Sequence, residues 1–380
     1  MAFLSTVQFH LLCIPLLVGL TGCGTPLFSP YPQNEEQCIK ESVRDHYSGE
    51  IKPSAGETSD SMILSRLDKH SKILEEKEYE TFRRETTGKY YGYGLMLFKQ
   101  KEKLKVFQVM EGSAAEKAGI AQGDLITAIN GNKTKTLEMK AIAKIIKDPG
   151  KNTVLLTVKK PTSEKTAAYT LSKSLIKINS VKSELLPKGV LYIRISTFDV
   201  NAADLVKRSL LEEASYQAII LDLRDNGGGL LHQAIDIADM FLDHGIIVSK
   251  RSKHKEYNAV FKARKSTTLT RKPLAVLVNK RSASASEVLA GALQENRRAV
   301  VVGERTFGKG TVQNTVRLGE KKLLKLTVAN YYLPTGRSIE SRGITPQVII
   351  KQDIKNKKVS KLFHGDKQLK KAFEIISGTL

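Results

Sequence analysis

Residues 274–293 read Leu-Ala-Val-Leu-Val-Asn-Lys-Arg-Ser-Ala-Ser-Ala-Ser-Glu-Val-Leu-Ala-Gly-Ala-Leu. Five consecutive apolar residues, Leu274–Val278, predict a strand covered on both faces. The small residues that follow open a helix with Val288, Leu289, Ala292 and Leu293 along one side. Ser284 therefore stands at a strand-to-helix turn, beside the unsatisfied amides of a helix N-terminus, where negative charge is favoured. One such turn can supply a nucleophile and half of an oxyanion hole. For Ser282 and Ser286 ordinary helix capping is expected.

Outward from this stretch, short apolar runs alternate with helical periods over residues 173–350. Strands are predicted at Val190–Ile195, Ala218–Leu223, Ile246–Ser249, Val300–Val302, Leu323–Tyr332 and Val348–Ile350, with helices at Ala202–Ala214 and Leu231–Leu242. Gly227-Gly228-Gly229 leads into the second helix. The alternation is that of an α/β core.

A serine nucleophile needs a base. No His is well placed for it: His232 and His244 lie in or after the helix behind the glycine run, and the others fall in the leader, the tails or basic linkers. Lys309, flanked by Gly308 and Gly310 between two predicted strands, lies 25 residues past Ser284. A lysine acts as base only when neutral, so its ordinary value near 10.4 must fall by roughly three units, about 4 kcal/mol, which desolvation can supply. Ser-Lys variants of the catalytic triad use this arrangement.

A separate unit occupies residues 88–172. Gly92-Tyr93-Gly94-Leu95 precedes a β-like run, then comes Glu111-Gly-Ser-Ala-Ala-Glu-Lys-Ala-Gly119, then Gly123-Asp-Leu-Ile and the turn Asn130-Gly131. These motifs resemble a PDZ domain of the circularly permuted bacterial type. Such a domain binds an extended C-terminal peptide along a strand edge while backbone amides of a glycine-rich loop take the carboxylate. Gly92, Tyr93, Gly94 and Leu95 would form that loop.

Three segments together, Ser282–Gln294, Gly303–Gln313 and Leu221–Leu230, with Tyr331–Ile339 as a fourth, closely resemble the C-terminal processing, or tail-specific, proteases. The resemblance runs in family order from about residue 60 to 350. It implies a mixed α/β architecture: a PDZ domain inserted ahead of a protease core of the crotonase and Clp-protease type, with a short helical N-terminal element. It makes Ser284 the nucleophile, Lys309 the general base and Gln313 the residue that orients the amine. The amides of Gly229 and Ala285 become the oxyanion hole, with Gly228 shaping the loop. Glu295 takes a supporting position, and Gly227 stands where many relatives have Pro. No metal or cofactor is implied.

Residues 1–34 carry no Lys, Arg, Asp or Glu, and Leu11–Leu20 is an apolar run too short to span a bilayer. Leu20-Thr21-Gly22-Cys23 resembles a lipoprotein cleavage motif, so residues 1–22 are expected to be a signal peptide and Cys23 to carry lipid. Residues 23–58 are expected to be a tether holding Cys38 as a lone thiol, 59–87 a short helical element, and 351–380 a solvated basic tail. A Cys23–Cys38 bridge in an exported, unlipidated chain is the alternative.

The chain has 380 residues, 61 Lys plus Arg against 39 Asp plus Glu, a net charge of +22, 41% hydrophobic residues and three Cys. Wholesale disorder and a disulfide scaffold are excluded. The basic balance raises nucleic acid as a partner, but no interleaving of basic and stacking residues supports it. The expected function is an exported serine endopeptidase of the bacterial envelope. It faces the periplasm, is lipid-anchored, with the outer membrane favoured, and acts on unstructured apolar C-termini. An adaptor lipoprotein or self-association is an expected accompaniment. A catalytically idle PDZ scaffold that captures peptide tails is the rival.

Overall fold

A computed structural model describes residues 34–51, 60–148, 150–213, 215–351 and 365–378. The expected signal peptide and Cys23 lie outside them. No helix among the described residues is long and apolar enough to cross a membrane.

The α/β core is built on a sheet of six strands among the described residues, in the order Val181–Leu186, Val190–Ile195, Ala218–Asp222, Leu274–Val278, Val300–Gly303 and Val348–Ile349. The first pair is antiparallel and the rest are parallel. Side chains alternate across a strand, and both faces here are covered. Ile219, Leu221, Val276 and Val278 enter the main core beneath the helices Ala202–Glu212, Leu231–Asp239 and Ala285–Glu295. Ala218, Ile220, Ala275 and Leu277 face the opposite way, against Ala372 and Ile376 of a helix at Lys367–Ser377. That helix corrects the expectation of a solvated tail. Its apolar residues Leu369, Ala372, Phe373 and Ile376 follow an i, i+3, i+4, i+7 spacing that the flanking lysines obscure.

A second sheet joins Lys72–Leu74, Lys322–Tyr332, Ile246–Arg251 and Ala259–Lys262, and Thr311–Gly319 also pairs with the long Lys322–Tyr332 strand. The expected tether is partly helical. Glu35–His46 is capped by Asn34, whose side chain accepts from Gln37 N at 2.9 Å. It buries Cys38, Ile39 and Val43 in the main core. Cys38 is 1% exposed and is no lone thiol in a polar linker. Within the expected helical element, Ile73 and Leu74 lie on a strand, and a further helix spans Glu76–Thr87.

The unit expected to be a PDZ domain has its own core around Leu104, Ile126, Ile129, Ile142, Leu156 and Leu171. Its strand order is Leu95–Gln100, Lys103–Val109, Leu125–Ile129, Thr153–Lys159 and Thr166–Ser172. Leu95–Gln100 is an edge, paired on one side only. Lys89–Gly92 and Ser174–Lys177 pair as a two-stranded stalk that leads in and out of the unit.

Candidate active site

Ser284 closes the turn between the strand Leu274–Val278 and the helix Ala285–Glu295 with φ 56° and ψ −115°. A non-glycine residue held there stores of order 1–3 kcal/mol, and persists only where its surroundings over-determine it. The surroundings here are buried hydrogen bonds. Ser282 Oγ donates to Leu223 O at 2.8 Å and accepts from Asn279 N at 3.0 Å. Ser286 Oγ and Ala283 N both donate to Asn226 O, at 2.9 and 3.0 Å. Ser282 and Ser286 thus tie the turn to the neighbouring strand end instead of merely capping the helix.

Asn226 is the shared post for the glycine loop. Its Nδ2 donates to Ile195 O at 2.9 Å, and its Oδ1 accepts from Gly228 N at 2.9 Å. Gly228 has φ 106°, and a Cβ there would lie 2.8 Å from Ala283 O and 2.9 Å from Ser284 Cβ, so only glycine lets the loop close on the serine turn. The Gly229 and Ala285 amides donate to no acceptor among the described residues, whereas Phe198 bonds to the amide and carbonyl on either side of Gly229. Two unsatisfied donors beside a hydroxyl are what a developing oxyanion needs. Below the loop, Arg224 bonds Asp222, and its Nη1 reaches Asp366 at 2.8 Å ahead of the C-terminal helix. Burial alone would raise Asp222, but Arg224, Arg194 and Tyr192 hold it below the usual carboxylate range.

The lysine loop is joined to the serine turn by a residue that sequence reasoning passed over. Glu287 is fully buried. Its Oε2 accepts from Ser284 N and Lys309 N, both at 2.9 Å; its Oε1 accepts from Gly308 N at 2.7 Å and Thr306 Oγ1 at 2.5 Å. One carboxylate therefore fixes the backbone of both residues on which acyl transfer would turn. Four donors to one buried charge are strong, charge-assisted bonds. The signal was present: Ser284-x-x-Glu287 is the spacing of a capping box. Phe307 N adds a bond to Ser282 O at 3.0 Å.

Burial lowers Lys309 to about 8, and the charge of Lys325 pushes the same way against the opposing pull of Glu287, Glu340 and Asp68. At pH 7 a value near 8 leaves about a tenth of the amine neutral, which is enough for a general base. Lys309 Nζ makes no hydrogen bond or ion pair among the described residues. Gln313 Nε2 donates to Thr311 Oγ1 at 2.6 Å, and no hydrogen bond links Gln313 to Lys309. Glu295 sits at the far end of the helix that starts after Ser284. It holds Thr335 and Arg337 there, so it supports a distant loop and not the dyad.

In the PDZ unit, Tyr93 and Gly94 lie between the stalk strand and the edge strand Leu95–Gln100, Gly94 with φ 84°. Tyr93 O accepts from Ala115 N and Gly94 O from Met110 N, at 3.1 and 2.8 Å, whereas the amides of Tyr93 and Gly94 donate to nothing among the described residues. Val190–Ile195 is paired on both sides within the sheet and offers no free edge to a substrate strand.

Residues 189–350 match peptidase family S41, and residues 106–160 match the PDZ domain. The carboxy-terminal-processing protease of Bartonella bacilliformis is 35% identical over 302 residues, 78% of this chain and 69% of that one. The carboxyl-terminal-processing protease of Synechocystis sp. is 36% identical over 304 residues, 77% and 70% of the two chains. Among solved structures, the photosystem II D1 C-terminal processing protease superposes with a TM-score of 0.50 at 26% identity, covering 84% of this chain and 94% of that one. Sustained over both the PDZ unit and the core that carries Ser284 and Lys309, this likeness means that the chain belongs to the carboxy-terminal-processing proteases, and it is a serine peptidase.

Proposed function

We propose that the protein captures apolar C-terminal tails on its PDZ domain and cleaves the attached polypeptide through a Ser284–Lys309 dyad. The tail adds as a strand along Leu95–Gln100, and its carboxylate takes the Tyr93 and Gly94 amides of the loop Gly92–Leu95. Neutral Lys309 accepts the Ser284 proton as the hydroxyl attacks the scissile carbonyl. The tetrahedral oxyanion receives the amides of Gly229 and Ala285. Lys309 then returns its proton to the leaving amine, and water releases the acyl group by the same steps reversed. Gln313 orients the amine through its amide oxygen, which accepts no hydrogen bond among the described residues.

The Glu287 carboxylate carries this proposal, since a binding scaffold has no need to fix the Ser284 and Lys309 backbones to one buried charge. The apolar run Leu11–Leu20 followed by Leu20-Thr-Gly-Cys23 supports export and lipid anchoring at Cys23, with the body facing the periplasm, and Gly24 after the Cys favours the outer membrane. The test is incubation of the chain from Gly24 onward with an unstructured reporter ending in an apolar tail, beside Ser284→Ala and Lys309→Ala. Cleavage by the wild type alone is expected. Cleavage retained in Ser284→Ala overturns the dyad.

A further inference from the structure

The turn that precedes the strand Lys72–Leu74 is docked onto the protease sheet with unusual thoroughness for so short a segment. Asp68 N donates to Tyr47 Oη at 2.9 Å. The Asp68 carboxylate accepts from His70 N at 2.7 Å and from Ser71 Oγ at 3.0 Å. Ser71 Oγ accepts in turn from Thr327 N at 3.0 Å, on the long strand Lys322–Tyr332. Thr327 lies opposite Gln313 in the register of that strand with Thr311–Gly319. The antiparallel register Lys72↔Lys325 carries the chain before Lys72 toward Thr327 and so toward the Lys309 end of the hairpin.

What this turn delivers is His70. Its Nε2 is enclosed and has no hydrogen-bond partner. A buried ring nitrogen left unpaired costs of order 1–3 kcal/mol and calls for an explanation. The Lys309 amine, also without a partner among the described residues, is near enough for its charge to act on the imidazole. An ammonium has three protons to donate, and a neutral imidazole has one lone pair to accept.

We propose that His70 is a positioning residue for Lys309: with its own proton on Nδ1, its Nε2 lone pair accepts a hydrogen bond from the ammonium that forms when Lys309 takes the Ser284 proton. The inference rests on the dyad proposed above. The charged groups that face His70 are Lys309, Glu340, Asp68 and Lys69. Burial and the Lys309 charge hold the imidazole below its ordinary value, which favours the neutral, accepting form. The docked turn also gives the N-terminal segment a role in the active site: it completes the surroundings of the base from the turn that leads into the strand Lys72–Leu74.

The test uses the full chain with His70→Phe, which keeps a flat ring and removes the acceptor, and His70→Gln, which keeps an acceptor. For each, kcat and KM on the tailed reporter are followed across the pH range, with Lys309→Ala as control. His70→Phe is expected to lower kcat about tenfold with KM nearly unchanged, and to move the acid limb to lower pH, because an ammonium without its acceptor releases its proton more easily. His70→Gln should recover a good part of kcat and return the limb. The proposal is overturned if His70→Phe leaves kcat and the limb as in the wild type, or if both variants lose kcat equally with the limb unmoved. Should His70→Phe fail to fold, the limb and kcat of His70→Gln decide: wild-type-like values support the acceptor, a tenfold loss with an unmoved limb refutes it. Activity surviving in Lys309→Ala would instead remove the dyad itself, a result distinct from any of these.

Discussion

Two glycine-bearing loops of this molecule present free backbone amides, and they are built in opposite ways. The loop at Gly227–Gly229 is enclosed by backbone at its last two glycines: a Cβ at Gly229 would lie 2.8 Å from the Phe198 carbonyl carbon, and one at Gly228 would meet Ala283 O and Ser284 Cβ. The loop at Gly92–Leu95 is bounded largely by side chains, with Ser113 beside Gly94 and Tyr90 beside Gly92. Side chains can turn aside and backbone cannot. Under the proposed function the first loop would meet a transition state of fixed geometry, and the second peptide tails that vary in sequence. The rigidity of the first extends through Asn226 and Glu287 to both Ser284 and Lys309.

The largest expected effect comes from cutting that link. Glu287→Ala strands four donors around a buried cavity. It should lower kcat by about a thousandfold and stability by roughly 2–4 kcal/mol, read by reporter cleavage and denaturant melts. Next, Gly228→Ala forces the loop off the serine turn and should cost about a hundredfold in kcat with KM little changed. Wild-type activity in either variant breaks the contrast between the loops.

The pH profile sharpens the contrast from the side of the base. In the proposed dyad Lys309 acts as base only when neutral, and burial lowers it to about 8. As pH falls below that value the neutral fraction drops, so kcat/KM should fall about tenfold per pH unit below 8 and level off above it. A flat profile from neutral pH to about 10 would mean that Lys309 is not the titrating base.

On the other loop, Gly94→Ala meets positive φ and the Ser113 side chain. It should raise KM for the tailed reporter about tenfold and leave kcat within about twofold. Gly227→Ala is the quiet control, with open space around its Cβ and no positive φ; stability should stay within about 0.5 kcal/mol.

The parts of this fold with short-range signals were legible. Leu274–Val278 reads as a buried strand and is one, and the glycine run, Ser284 and Lys309 do converge around shared buried bonds. What escaped was set by partners far away in sequence. Ile73 and Leu74 look helical until Leu324 and Leu323 pair with them. The Lys367–Ser377 helix exists because Ala372 and Ile376 fill one face of the sheet, a benefit invisible beside so many lysines. Glu287 has only its capping-box spacing after Ser284 to mark it, because three of the four donors that it holds come from Thr306–Lys309, about 20 residues further along the chain. Nothing local to His70 tells that its turn docks on the strand Lys322–Tyr332, opposite the strand that follows Lys309.

Acyl transfer to Ser284 can be caught by rapid acid quench of the wild type with the tailed reporter, followed by intact-mass and peptide mass spectrometry. An acyl fragment of the reporter should be found on the peptide that contains Ser284 at early times, absent in Ser284→Ala and much reduced in Lys309→Ala. Reporter cleavage with no acylated Ser284 at any time, or cleavage undiminished in Ser284→Ala, would contradict the account.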